Sequence, residues 1–198
     1  MKKLFLSMLL VLLTLGALVG CSDNVKFEKG ILTDTSYESQ FLNLRFELPD
    51  GYIMATEDDL KTMIAASNAL VGIDVGDYDD LATVYEMTVQ HFSGNPNVMV
   101  MAEKLIPATT SVSKYLEVLK EQLTDMPNMN YSFKETSEAT IAGQTYTKLT
   151  ALVDVFGSAM TQDYYLRKQG NRMIVLVFSY TDEATSEMQG LLNTFTAY

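Results

Sequence analysis

Met173-Ile174-Val175-Leu176-Val177-Phe178 constrains this chain more than any other stretch, because it is apolar at both parities of a strand. Successive side chains of a strand point to opposite faces, so a strand of this kind must be covered on both sides. It follows a run that already reads as strand after strand: Tyr131 to Thr140, Gln144 to Val155 and Ala159 to Gln169, with turns at Ala142-Gly143, Gly157 and Gly170-Asn171. These turns are too short for crossover connections, so the strands are expected to be antiparallel. Helices are then expected on both faces of the sheet. Met188, Leu191, Leu192 and Phe195 lie at helical spacing behind the acidic start Asp182-Glu183 and are expected to supply one cover.

Upstream, Leu42, Leu44, Phe46 and Leu48 alternate with polar residues and stop at Pro49-Asp50-Gly51, which predicts a half-buried strand. Thr56 followed by Asp59 fits a helix start, and Leu60, Met63, Ile64 and Leu70 form its apolar stripe. Val84 to Phe92 and Asn97 to Leu105 read as a hairpin around Ser93-Gly94-Asn95-Pro96. A second helix is expected over Ser111 to Asp125, with Val112, Tyr115, Leu116, Leu119 and Leu123 on one side and Pro127 closing it. The reading is therefore α+β: one antiparallel sheet of about six or seven strands, flanked by helices on both faces.

The N-terminus says where such a domain would work. Lys2 and Lys3 precede an apolar run from Leu4 to Val19, broken only by Ser7, Thr14 and Gly16. It ends at Leu18-Val19-Gly20-Cys21, which resembles the lipobox of bacterial lipoproteins. That resemblance implies cleavage after Gly20, a diacylglycerol on the Cys21 sulfur, and display on the extracytoplasmic face of the cell membrane. The alternative is an uncleaved anchor, but the run is shorter than the roughly 20 apolar residues of a span. Residues 1–20 are thus expected to be a signal peptide, residues 21–36 a polar tether, and residues 37–198 a single domain.

Composition narrows the function. The whole chain carries a net charge of −11, and removing residues 1–20 takes away two lysines and no acid, leaving −13. Such a surface repels phosphate backbones and anionic headgroups, so no nucleic acid is expected as a partner and the membrane contact should be the lipid. Cys21 is the only cysteine, which leaves no disulfide and no thiol nucleophile. With His91 as the single histidine, zinc catalysis lacks ligands, and no Gly-x-Ser-x-Gly elbow or phosphate loop is present.

Three groupings remain to be weighed. Asp74, Asp77, Asp79 and Asp80 could offer oxygens to calcium, although the glycine and terminal acid of an EF-hand loop are missing. Met87, His91, Met99 and Met101 would share one surface if Met87 paired with Met101 and Val89 with Met99, a donor set suited to Cu(I). The same residues would equally make a core face. Tyr164, Tyr165, Tyr180 and Tyr198 could line a binding surface, tyrosine being common at interfaces.

The stretch Leu44-Arg45-Phe46-Glu47-Leu48-Pro49-Asp50-Gly51-Tyr52 is followed by a helix, a hairpin and a second helix carrying Lys114-Tyr115-Leu116. An Ala142-Gly143-Gln144 turn, a strand meander and a short terminal helix complete the order. In this the chain is similar to bacterial lipoproteins of the PsbP/Mog1-like fold, over roughly residues 37–198. The resemblance implies a non-enzymatic protein-binding or assembly module with an envelope protein as partner, no cofactor, and no active-site residues to carry over. A lipoprotein binding a small molecule or a metal is the alternative, and a hydrolase built on His91 or a carboxylate pair is a third.

Overall fold

The computed structural model describes residues 26–71, 82–127, 129–155 and 157–198. Its centre is an antiparallel sheet of eight strands: β4 (Tyr52–Met54), β5 (Thr83–His91), β6 (Asn97–Lys104), β7 (Met129–Phe133), β8 (Ser137–Ile141), β9 (Gln144–Val155), β10 (Ser158–Gln169) and β11 (Arg172–Tyr180). The order is β4-β5-β6-β11-β10-β9-β7, with β8 also pairing β9. A second, four-stranded sheet of order β1-β2-β3-β12 is built from β1 (Ile31–Leu32), β2 (Ser36–Ser39), β3 (Leu44–Glu47) and β12 (Phe195–Thr196). Helices α1 (Glu57–Val71), α2 (Val112–Thr124) and α3 (Thr185–Leu192), with a short 3-10 turn at Asp182–Ala184 leading into α3, complete the described elements.

β11 is central and buried along its whole length, as its double-parity apolar pattern requires. On its first face stand Arg172, Ile174, Leu176, Phe178 and Tyr180. Register places Asp163, Tyr165 and Arg167 of β10 beside them, with Val98, Val100 and Ala102 of β6 on the other side. The second face carries Met173, Val175 and Val177, with Tyr164 and Leu166 on one side and Met99, Met101 and Glu103 on the other.

The two faces are covered differently from expectation. α2 lies over the second face, burying Tyr115, Leu116, Leu119 and Leu123, with the Tyr115 hydroxyl donating to Glu103 at 2.6 Å. The first face is roofed mainly by the small sheet. The Phe195 ring packs on Phe178 and on Phe46, at centroid distances of 5.9 and 5.0 Å. Sequence reasoning expected one sheet of six or seven strands between helical layers; the main sheet is larger, and the helices are too few to flank both faces. The reason is Phe195. It stands at helical spacing from Met188 but lies beyond α3, in a two-residue strand paired with β3.

Local chemistry sets the element ends. At the start of α1 the Thr56 N–H donates to Asp59 Oδ2 at 3.0 Å and the Asp59 N–H donates to Thr56 Oγ1 at 3.2 Å, a reciprocal cap. Ser111 caps α2 through its side chain and the Lys114 N–H. The β8–β9 turn needs two positive φ angles, 50° at Ala142 and 73° at Gly143, which is what a tight hairpin demands. The expected strand over Tyr131 to Thr140 is two strands, β7 and β8, both on β9 and separated by residues 134–136. The folded unit also begins earlier than residue 37, since Phe27 is buried and β1 pairs with β2.

Candidate functional site

His91 ends β5 at the edge of the main sheet, where β4 is the last strand. Its Nδ1 accepts the Ser93 N–H at 3.2 Å and lies 2.7 Å from Ser93 Oγ, which in turn donates to the Asn95 carbonyl at 2.9 Å. A serine beside an imidazole is the pairing that nucleophilic catalysis uses. Here Nδ1 is engaged by the hydroxyl and backbone N–H of Ser93, and the hydroxyl has a carbonyl to donate to, so the contact closes a hairpin turn. Asn95 fastens the turn to the end of β11: its Nδ2 donates to Thr181 Oγ1 at 2.8 Å, and the Thr181 N–H donates to its Oδ1 at 3.2 Å.

Around this fastened turn the sheet edge is apolar and open. The Tyr52 and His91 rings meet edge to face at 5.1 Å. Phe92 is 69% exposed and Ile53 40% exposed. Ile53 pairs with Gln90 and the Phe92 N–H donates to the Gly51 carbonyl, so both side chains stand on the same side of the edge. Exposed aromatic and branched side chains on a rigid support are what a docking surface presents.

The methionine donor set does not assemble. Between Tyr85 and Met87 the register shifts, so Met87 pairs with Val100 and Thr88 with Met99, while Tyr85 keeps Met101. The extra residue of this bulge is Glu86. It turns Met87 and His91 to the first face and leaves Met99 and Met101 on the second, so a β-bulge that the alternating pattern does not reveal splits the donor set in two. Among the described residues no group of three or more His, Cys, Asp or Glu is placed to hold a metal.

Three acids that the sequence reading passed over turn their carboxyls inside. Glu86 accepts the Tyr37 hydroxyl and the Gly30 N–H on Oε2, both at 2.9 Å. Burial pushes its pKa up to about 7, against the partial opposition of the Gly30 N–H and the Tyr37 hydroxyl. Glu103 is raised to about 7 in the same way, by burial opposed by the Tyr115 hydroxyl. Asp163 is more fully partnered: Lys148 Nζ at 2.9 Å, the Tyr180 hydroxyl at 3.0 Å and the Thr150 hydroxyl at 2.5 Å. Arg172 is buried as well, its guanidinium 4.2 Å above the Phe27 ring and its Nη1 donating to the Ala102 carbonyl at 3.3 Å. An acid interrupting Val84-Tyr85-Glu86-Met87 and an arginine opening the apolar strand at Met173 were the available signals for these positions.

The tyrosines expected at a binding surface mostly lie inside. Tyr164, Tyr165 and Tyr180 are buried, and only Tyr198 is exposed, beneath Arg45 with the guanidinium 4.7 Å from its ring centroid. Gln162 shows why, its Oε1 accepting the Tyr164 hydroxyl at 2.8 Å and the Tyr131 hydroxyl at 3.3 Å within the protein. Cys21 and the acidic run from Asp74 to Asp80 lie outside the described residues.

No protein family matches this sequence, and no curated protein matches it significantly. Solved structures do. The solution structure of cyanobacterial PsbP (CyanoP) from Synechocystis sp. PCC 6803 superposes with a TM-score of 0.53 at 12% identity, covering 91% of this chain and 99% of that one. The domain has the PsbP/Mog1-like fold. LpqN of Mycobacterium tuberculosis, described as involved in cell envelope biogenesis, gives a TM-score of 0.44 at 13% identity over 77% of this chain and 82% of that one. The Ran-binding protein Mog1p of Saccharomyces cerevisiae gives 0.42 at 14% identity over 84% and 96%. At these identities the likeness is one of fold.

Proposed function

We propose that this protein is a non-enzymatic, lipid-anchored module on the extracytoplasmic face of a bacterial membrane, binding an envelope protein through the open edge at Ile53 and Phe92. The observation that carries the reading is where the reactive side chains have gone. Glu86 and Asp163 are buried, Glu103 is half-buried with its carboxyl turned inward, and each accepts a tyrosine hydroxyl, while the His91 Nδ1 is spent on a hairpin turn. A general acid or base must reach a substrate proton within hydrogen-bond distance, and these groups are held by internal partners instead. Ile53 on β4 and Phe92, beside a turn fixed to β11, by contrast face solvent.

Lipid attachment at Cys21 supplies the anchor in this reading. Its test is fatty-acid labelling of the full chain and of Cys21→Ala in a bacterial host. The parent should mature after residue 20 and take up label; the variant should remain as unlabelled precursor. Normal processing and labelling of Cys21→Ala would remove the anchor from the account.

A further inference from the structure

The stretch expected to belong to a loose tether is built into the domain. Phe27 is 3% exposed, edge-on to Phe41 at 5.1 Å and beneath the Arg172 guanidinium at 4.2 Å. Lys29 Nζ reaches both carboxylate oxygens of Glu57 at 2.7 Å. The Gly30 N–H donates to buried Glu86. A Cβ at residue 30 would sit 2.5 Å from Cε2 of the Tyr37 ring, so glycine is required there and the segment fits in one register. Three elements, β11, α1 and β5, thus hold three of the four residues 27–30.

We propose that residues 27–30 are a strap that holds the domain close to the bilayer on its own anchor, with the start of α1 on the membrane side. This rests on the lipid-anchor reading. Six peptide steps separate Cys21 from Phe27, a span of at most ~20 Å; were the chain loose as far as Ser36, fifteen steps would span ~50 Å. Adhesion does not set the height. Glu57, Asp58 and Asp59 crowd the first turn of α1, and acids at that place are repelled by anionic headgroups. The covalent leash and the strap set it instead.

The chain's only cysteine would be lipidated, so Asp58→Cys, at an exposed position beside Glu57, would offer the one free thiol. A dye there, with acceptor lipid in phosphatidylglycerol–phosphatidylethanolamine vesicles carrying the full lipidated protein, reads the height of the domain. Gly30→Ala should open the strap; should it fail to fold by circular dichroism, the pair Phe27→Ala and Lys29→Ala opens it without the steric clash. Opening should lengthen the leash to the ten steps that reach Ile31, where β1 pairs with β2, and move the label outward by roughly 4 Å on average, and the Gly30 amide should exchange slowly in the parent and rapidly in the opened form. Equal label heights, or a freely exchanging Gly30 amide in the parent, would overturn the strap while vesicle flotation stayed intact. Loss of flotation in the parent would overturn the anchor and the strap's membrane role together, a distinguishable result.

Discussion

Asp163 and His91 occupy opposite situations in one sheet. Asp163 sits at the centre of β10 with lysine, threonine and tyrosine all directed at it and no exposed surface. His91 stands at an edge, touching a serine two residues away and an aromatic ring across the strand pair. Inside, Asp163 is ringed by a lysine and two hydroxyls that tie neighbouring strands together; at the edge, the Phe92 ring is left largely in water. A side chain's chemical potential is thus a poor guide to its use, and its surroundings decide.

That contrast breaks most visibly at Asp163. Asp163→Ala would leave the Lys148 ammonium and two hydroxyls without their acceptor, and the expected loss is about 3–5 kcal/mol in urea unfolding. A loss below 1 kcal/mol would mean that the pair is as dispensable as a surface one. Next in size is Leu191→Ala in α3, a buried position, where about 2–5 kcal/mol is expected from lost contact and the cavity left behind. The neighbouring Leu192 is only half-buried, so truncation there should cost less than at Leu191.

Smaller and pH-dependent is the effect of the two raised carboxyls. Glu86 and Glu103 have pKa values near 7 in the fold against an ordinary 4.5, burial being the main cause. Between those values the folded chain keeps protons that the unfolded chain has released. Stability therefore falls as pH rises from about 4.5 to 7 and levels off above, by up to roughly 3 kcal/mol per group. Glu103→Gln, which keeps a polar group beside Tyr115, should flatten this slope. A slope that is unchanged in Glu103→Gln would show that Glu103 titrates as an ordinary carboxyl. Smallest of all should be Phe92→Ser, within about 0.5 kcal/mol in stability because the ring is largely in solvent already.

How much of this could be read from the sequence follows the same division. Antiparallel strands with double-sided burial, both long helix starts and the hairpins were legible, because alternation, caps and turn glycines are local signals. Phe195 was not: its spacing fits α3, and only pairing with β3 moves it into a strand. The bulge at Glu86 was hidden too, since one unpaired residue leaves the composition of β5 unchanged while reversing which side each later residue faces. That single shift dissolved the methionine grouping and created the Glu86–Tyr37–Gly30 contact. Phe92, followed by Ser-Gly-Asn-Pro, could have been picked out as an aromatic residue at a turn.

The central claim is that the open edge at Phe92 meets a protein partner, at the membrane, without chemistry from His91. A photo-crosslinking amino acid placed at residue 92 of the full chain in living cells tests it directly. The account predicts one discrete adduct that persists when His91→Gln is added and disappears when Cys21→Ala is added. No adduct, an adduct indifferent to Cys21→Ala, or one abolished by His91→Gln in a folded protein would contradict it.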